Sequence, residues 1–274
     1  MVSPRTVIEA FLPSRGDIAL ELVYDTANAA GIADQPIRLA LRRMVAAGEV
    51  VQSGRGRQAT AALTAVGRER LDQDRLAVRL AFTQDQGLDP WDGRWRLLAV
   101  SAPESERAIR DGLRRTLVEA GAALVSTGLY VSPHDLAIVL DSSEYLVHAE
   151  ATDLDVRGVT DPQAIAELLW PAAPTIAAYD AIDDAIRQTG PPLVRQLHLA
   201  EALEHALRPD PLLPPELRAS PWPPAVVRRR WYDAWMALTE QLPEELLYRG
   251  WLSWPTSCPG AWQWPQAVPA RPPG

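Results

Sequence analysis

The feature that most constrains the fold is a helical pattern bracketed by glycines in the first quarter of the chain. Its apolar residues recur at spacings of three and four, as on a helix with one buried face: Ile37, Ala40, Leu41, Met44 and Val45. A preceding helix is predicted over residues 20–30 and ends at Gly31. Asp34 is expected to cap the helix that contains Ile37 to Val45, with Pro36 in its first turn.

A β-hairpin is predicted directly after this helix. Gly48 precedes a short apolar strand at residues 50–51, and residues 59–63 return as a second strand. The connecting tip reads Ser53-Gly54-Arg55-Gly56-Arg57, and such a glycine-rich segment favours a tight turn. A further helix near the start contributes Val7, Ile8 and Phe11. Three helices followed by a hairpin are typical of a winged helix-turn-helix, which we predict for residues 1–83.

Positive charge is concentrated in this segment, although the 274-residue chain carries a net charge of −8. Residues 35–60 hold five arginines and one acidic residue, Glu49. Such a window is suited to contact an anion. We therefore expect it to bind double-stranded DNA, with base edges read from the helix and phosphates or the minor groove contacted by the hairpin. The residues expected to do this are Gln35, Arg38, Arg42, Arg43, Arg55 and Arg57.

Two alternatives to DNA binding remain open for this segment. All 27 basic residues of the chain are arginine, so an arginine-rich helical face is also consistent with simple solvation. A winged helix used only for protein contacts, as in an interaction scaffold, is the second. The absence of lysine from the sequence excludes Schiff-base and phosphate-loop lysine chemistry.

Composition limits the remaining classes. A hydrophobic fraction of 47% with 23% charged residues is typical of globular proteins, and the length suggests two or three domains. No apolar run approaches the roughly 18–20 residues of a membrane helix. The single cysteine, Cys258, excludes an internal disulfide framework. Charged residues interrupt the first twenty positions, so no signal peptide is predicted, and we expect a soluble, cytoplasmic protein without a cofactor.

The middle of the chain predicts a small α+β sandwich of ferredoxin-like type over residues 91–160, preceded by a linker at residues 84–90. Strands are expected at residues 97–100, 128–133 and 144–151, and another apolar run covers residues 136–140. A helix from Pro103 to about Gly121 is expected to bury a stripe formed by Ile109, Leu113, Leu117 and Val118.

Residues 162–274 are predicted to be mainly helical, with proline-rich interruptions. Helices are expected at residues 164–169, 175–188 and 193–207. The last of these places His198, Glu201 and His205 on one face, where they could ligate zinc; no fourth ligand is apparent, so an ordinary helical surface is the favoured interpretation and no metal is predicted.

Two C-terminal features could bind a ligand or form a contact with another part of the protein or a partner. Arg228, Arg229 and Arg230 lie next to aromatic residues and could receive the phosphates of a CoA thioester or of DNA. The favoured interpretation is that they form the charged face of a helix whose Trp231 and Trp235 pack inward. The tail alternates tryptophan with proline and is expected to dock on the body or a partner; its tryptophans are Trp251, Trp254, Trp262 and Trp264.

Several blocks of the sequence resemble the PaaX family, repressors of phenylacetate degradation and their relatives. The central block is WDGRWRLLAVSAPESERAIRDGLRRTLVEAGAALVSTGLYVSPHD. Similar blocks are GIADQPIRLALRRMVAAGEV, AIAELLWPAAPTIAAYDAI and DPLLPPELRASPWPPAVVRRRWYDAW. The resemblance implies a homodimeric transcription factor with an N-terminal winged helix, a central ferredoxin-like domain and a C-terminal helical domain. It also implies release from the operator by an acyl-CoA effector such as phenylacetyl-CoA.

The resemblance raises one enzymatic alternative. The central domain of this family is similar to small metal-dependent nucleases of CRISPR spacer acquisition, which carry an Asp at the end of the first strand. Ser101 occupies the matching position here. Because a lone hydroxyl does not replace a carboxylate as a ligand for a hard cation, we do not predict an enzyme.

Overall fold

The computed structural model describes residues 2–136, 143–246 and 248. Within these residues the chain combines α-helices with two antiparallel sheets, which confirms the predicted α+β class. The chain order runs from a helical and hairpin region, through a four-stranded sheet, to a group of helices.

The N-terminal region contains three helices and a three-stranded antiparallel sheet. The helices are α1 (Pro4–Phe11), α2 (Leu20–Ala29) and α3 (Asp34–Ala46). The strands are β1 (Ile18–Ala19), β2 (Val50–Ser53) and β3 (Thr60–Leu63), in the order β1-β3-β2. Val50 pairs with Leu63 and Ser53 with Thr60, as expected for the hairpin. The short strand β1 was not predicted, since two residues carry no periodic pattern.

Helix α3 differs from the prediction at its start and on its buried face. Ala33 is the cap residue and Asp34 lies in the first turn, where its carboxylate accepts a hydrogen bond from Arg38 instead of capping the helix. Ile37, Leu41 and Met44 are buried as predicted. The prediction for Val45 was wrong: it is 41% exposed, because each residue turns the helix by about 100° and Val45 follows the buried Met44 directly.

The predicted linker starts too early. Helix α4 spans Ala65–Asp85, so residues 84 and 85 are still helical. The Gln84 side chain is buried and donates a hydrogen bond to the Leu212 carbonyl at 2.7 Å. Asp85 is likewise buried and pairs with Arg228. These partners lie more than 120 residues away in the sequence, and a local pattern does not reveal them.

The central region is a four-stranded antiparallel sheet in the order β5-β6-β4-β7. Its strands are β4 (Trp95–Val100), β5 (Ala123–Ser126), β6 (Leu129–Ser132) and β7 (Leu146–Ala151), and α5 (Arg107–Glu119) connects β4 to β5. Because β6 lies between β4 and β5, the connection is a split β-α-β unit, as occurs in ferredoxin-like domains. Strand β5 was not predicted. The apolar run at residues 136–140 lies outside the described residues except for Leu136, which is buried.

Helix α5 covers one face of this sheet, but with a narrower stripe than predicted. Leu117 is fully buried against Leu98 and Tyr130. Ile109 and Val118 are 43% and 58% exposed, so the predicted burial of these two residues was wrong. A single helix on a small sheet buries only the residues that point directly at the strands.

The C-terminal region is a group of packed helices. These are α6 (Pro162–Leu169), α7 (Ala172–Ala178), α8 (Asp180–Arg187), α9 (Pro192–Leu207) and α10 (Pro223–Thr239). The helix predicted over residues 175–188 is two helices that meet at Tyr179. Trp231 and Trp235 stack on each other in the core, as favoured from the sequence. The tryptophans at positions 251–264 and Cys258 lie outside the described residues. No helix in the described part of the chain is long and apolar enough to cross a membrane.

Candidate nucleic-acid interface

The solvent face of α3 presents a row of polar side chains. Ile37, Leu41 and Met44 hold the opposite face in the core, so the helical repeat turns Arg38 and Arg42 outward, with Gln35 at the exposed start of the helix. The structure therefore brings these three predicted residues onto one accessible helix.

The hairpin tip lies beside this helix and carries Arg55. Gly54 and Gly56 flank it with φ of 84° and 66°, backbone angles that glycine adopts without a steric penalty and that fold the tip sharply. Arg55 projects from this turn and is exposed. Among the residues that the structure describes, no hydrogen bond or ion pair engages the side chains of Arg42, Arg43 or Arg55. Three guanidinium groups on this surface are thus available to an external anion.

Arg57 has internal partners, in contrast to Arg55. Its guanidinium donates hydrogen bonds to Asp25 of α2 and, at 3.4 Å, to Asp34 of α3. It also lies over the Tyr24 ring, 5.3 Å from the centroid. The side chain therefore fixes the hairpin against both helices. Its position suits it to orient the tip, with part of its charge already neutralised.

Arg43 lies to the side of the exposed row. It lines an apolar groove of about 480 Å³ between α1 and α3, together with Pro4, Leu39 and Ala40. Arg43 therefore lies on the flank of α3, apart from Arg38 and Arg42.

The three C-terminal arginines are not brought together. Arg228 is 0% exposed; its guanidinium binds both oxygens of Asp85 at 2.6 and 2.7 Å and donates to Asp210 and the Tyr179 hydroxyl. By contrast, Arg229 lies 3.5 Å from Asp233 and Arg230 is 3.0 Å from Asp183. The geometry therefore places Arg228 in the protein interior, so the prediction that it belongs to the charged face of the helix was wrong. The inward packing of Trp231 and Trp235 agrees with that prediction.

This buried network has consequences for the pKa of its members. Burial alone would lower the pKa of Arg228, but the hydrogen bonds to Asp85 and the surrounding negative groups raise it above its ordinary value. Burial raises the pKa of Tyr179 well above that of a free tyrosine, so its hydroxyl stays protonated and donates to Asp210 at 2.6 Å. The sequence alone does not reveal this cluster, because its acids Asp85 and Asp210 lie in α4 and in a distant loop.

Two other candidate residues, Glu201 and Ser101, make hydrogen bonds within the fold. Glu201 accepts hydrogen bonds from the Ser3 backbone N–H, at 3.1 Å, and from the Thr6 hydroxyl. Within the described residues, no group of three potential ligands is arranged for a metal ion. Ser101 follows β4, is exposed, and donates from its hydroxyl to the Tyr145 carbonyl at 3.3 Å.

Comparison with known proteins identifies the central region. Residues 88–159, which include β4 to β7, match the family described as PaaX protein central Cas2-like domain. The central region is thus similar to the central domain of PaaX proteins. This match confirms the resemblance carried by the central block of the sequence.

A solved structure resembles the chain over a longer range. The uncharacterized protein Rv0674 from Mycobacterium tuberculosis superposes with a TM-score of 0.55 at 23% identity, over 86% of this chain and 94% of that one. At 23% identity, this similarity shows a shared fold only. No curated protein matches the PaaX-like chain.

Proposed function

We propose that this chain is a sequence-specific DNA-binding transcription regulator and that residues 1–83 act as its winged helix-turn-helix. One observation carries the proposal. The outward row of Gln35, Arg38 and Arg42 on α3 lies beside an exposed hairpin tip, and Arg42 and Arg55 have no partner among the described residues.

The chemistry of these side chains suits the two parts of a DNA site. A guanidinium fork pairs with O6 and N7 of guanine, and a glutamine amide pairs with adenine, so α3 lying in the major groove would read bases. Arg55 would contact phosphate or the adjacent minor groove, and Arg43 the phosphates along the flank. Arg57 would act indirectly, because it holds the hairpin at the required angle.

A repressor released by an acyl-CoA ligand such as phenylacetyl-CoA is the form of regulation that we propose. The support is the resemblance to PaaX repressors. A homodimer would place two winged helices about one DNA turn apart, ~34 Å, on a palindromic operator. The ligand would release the DNA by binding better to a dimer whose spacing does not fit it. Arg229 and Arg230 are candidates for binding the ligand phosphates, whereas Arg228 is buried and bound to Asp85.

Binding rather than catalysis is the activity proposed. Ser101 offers a hydroxyl where a metal-dependent nuclease would need a carboxylate. No contact in the described part of the chain favours a nuclease or a scaffold over a DNA-binding regulator.

Selection from a random duplex library at fixed, near-physiological salt tests this proposal. A regulator of this type enriches one palindromic sequence from the library, and addition of phenylacetyl-CoA, but not of CoA, releases it. Retention of all duplexes alike, with affinity that falls steeply with salt, would contradict sequence-specific binding. If one duplex is enriched but phenylacetyl-CoA does not release it, the proposed effector is contradicted and sequence-specific binding stands.

A further inference from the structure

The apolar groove of about 480 Å³ between α1 and α3 is open to solvent. Its walls include Pro4 of α1 and Pro36, Leu39 and Ala40 of α3, and Leu39 is 40% exposed. A concave apolar surface of this size is comparable to those that receive ligands. Arg43 lines the groove as well, and its guanidinium can lie over the face of an aromatic ring. The groove therefore suits aromatic and proline side chains.

Tyr248 holds the C-terminal part of the chain close to α1. Its ring packs edge-on against Trp235, with 5.4 Å between the centroids, and the residue is 7% exposed. Burial and the nearby charges of Glu9 and Glu201 raise the pKa of the Tyr248 hydroxyl well above its ordinary value. Glu201 in turn accepts a hydrogen bond at 3.1 Å from the backbone N–H of Ser3, which lines the groove. The chain therefore reaches the side of α1 directly before residue 249.

Residues 249–274 carry the side chains that such a groove accepts. They include four tryptophans and six prolines, but only two charged residues, Arg249 and Arg271. A segment this short cannot bury several indole rings in a core of its own, because fewer than about 40 residues rarely suffice for one. Large apolar groups of this kind usually mark a contact with another surface. The groove offers such a surface close to the start of the segment.

Length and charge both allow this segment to reach the groove. Each residue extends the chain by at most about 3.5 Å, so Trp251 can lie up to about 10 Å from Tyr248 and Trp254 up to about 20 Å. Helix α1 has eight residues and spans about 12 Å. Arg249 follows Tyr248 directly and brings a cation to the carboxylates whose charges act on that tyrosine. These carboxylates belong to Glu9, Asp74, Glu201 and Glu204.

We propose that residues 251–255 of the same chain occupy the groove, with Trp251 and Trp254 packed between α1 and α3. Docking would cover the exposed Leu39 and place an indole ring against Arg43. A tethered segment faces the groove at an effective concentration in the millimolar range, so a modest affinity keeps it bound. This inference goes beyond DNA binding and does not depend on it, because it makes the C-terminal segment part of the surface of the N-terminal region.

The rate of disulfide formation in the full-length chain tests this contact without DNA. In a Cys258→Ser background, Ser253→Cys between the two tryptophans is combined with Ala40→Cys in the groove. The matched control combines Ser253→Cys with Val66→Cys, an exposed position on α4 that does not line the groove. In a glutathione buffer we expect the bridge to residue 40 to form at least about tenfold faster, because docking raises the local thiol concentration. Equal rates, or bridges between two chains rather than within one, would overturn the proposal.

A charge placed in the groove provides a second test on the same cysteine pair. Leu39→Glu puts a carboxylate where the indole rings would pack, so the rate of bridging to residue 40 is expected to fall to that of the control pair. Val118→Glu, at an exposed position on α5, is expected to leave the rate unchanged. Both substituted side chains lie at the surface, so the circular dichroism spectra are expected to match that of the unmodified chain. A rate that Leu39→Glu does not lower would contradict docking in the groove.

Discussion

Arg228 and Asp85 form a two-pronged ion pair inside the protein, although 143 positions separate them in the sequence. The two nitrogen–oxygen distances are 2.6 and 2.7 Å. Asp85 ends α4, the helix that leaves the N-terminal region, and Arg228 belongs to α10 of the C-terminal helices. The pair therefore joins the helix that follows the N-terminal sheet to the C-terminal helices.

Removal of this arginine is expected to destabilise the protein strongly. Arg228→Met would leave the buried Asp210 without its arginine and Asp85 with only Arg218, at 3.4 Å. Such a change costs about 3–5 kcal/mol. Arg229→Met is the matched control, because Arg229 is nearer the surface and pairs with a mostly exposed Asp233. Urea unfolding monitored by circular dichroism measures both. Equal stability of the two variants would contradict a structural role for Arg228.

Two helical glycines are expected to respond oppositely to alanine. A Cβ at Gly67, in α4, would lie 2.1 Å from the Glu49 carbonyl oxygen, whereas a Cβ at Gly112, in α5, meets no atom within 4 Å. Gly67→Ala therefore forces α4 away from β2 and lowers stability by about 2 kcal/mol or more. Gly112→Ala raises it by about 0.5–1 kcal/mol. Thermal melts of both variants check the prediction. If both substitutions raise the melting temperature, or both lower it, the prediction is refuted.

Glu204 is expected to reduce stability at neutral pH. Burial raises the pKa of its carboxyl, and the nearby Glu9 and Glu201 raise it further. Because the folded pKa lies above the unfolded one, the folded state binds this proton more tightly. The stability that the group contributes is present below the unfolded pKa and is lost as the pH rises through the folded pKa.

Replacement of Glu204 by glutamine tests this sign. Glu204→Gln is expected to raise the free energy of unfolding by roughly 0.5 kcal/mol at pH 7, a small value because solvent partly screens the group. At a pH below the unfolded pKa, about 4.3, the difference is expected to disappear. Urea titrations at the two pH values measure it. A benefit that persists at low pH would show that the charge is not its cause.

Substitutions of the two hairpin arginines are expected to distinguish a direct DNA contact, made by Arg55, from positioning of the hairpin by Arg57. Arg55→Ala removes a phosphate contact, so affinity falls on all duplexes and the slope of log K against log salt decreases by about one. Arg57→Ala instead frees the hairpin from Asp25 and Asp34, so it lowers thermal stability as well as affinity. Anisotropy titrations over a salt series and thermal melts distinguish them. Identical profiles for the two variants would contradict the different roles.

The sequence predicts well those elements that carry a local pattern. Ile37, Leu41 and Met44 follow the helical repeat and are buried, and the glycines around Arg55 predict the hairpin tip. The outward direction of Arg38 and Arg42 follows from the same repeat. These features depend on neighbours within a few residues.

What the sequence does not predict depends on distant partners. From the sequence, Asp85 is predicted to lie in a linker and Arg228 on the charged face of a helix. Only the fold brings the two side chains into contact. Arg57 could not be distinguished from Arg55, because its partners Asp25 and Asp34 lie on other elements. Likewise, two-residue β1 and the edge position of β7 follow from sheet order rather than from local composition.

Sequence readout by α3 is tested most directly by fluorescence anisotropy with the selected duplex and a scrambled duplex at one salt concentration. Arg38→Ala and Arg42→Ala are compared with Arg115→Ala, which removes an exposed arginine from α5. We predict that each α3 variant loses about 1–3 kcal/mol of binding free energy on the selected duplex and changes little on the scrambled one, while Arg115→Ala matches the unmodified protein. Unchanged affinity of both α3 variants for the selected duplex would contradict the account.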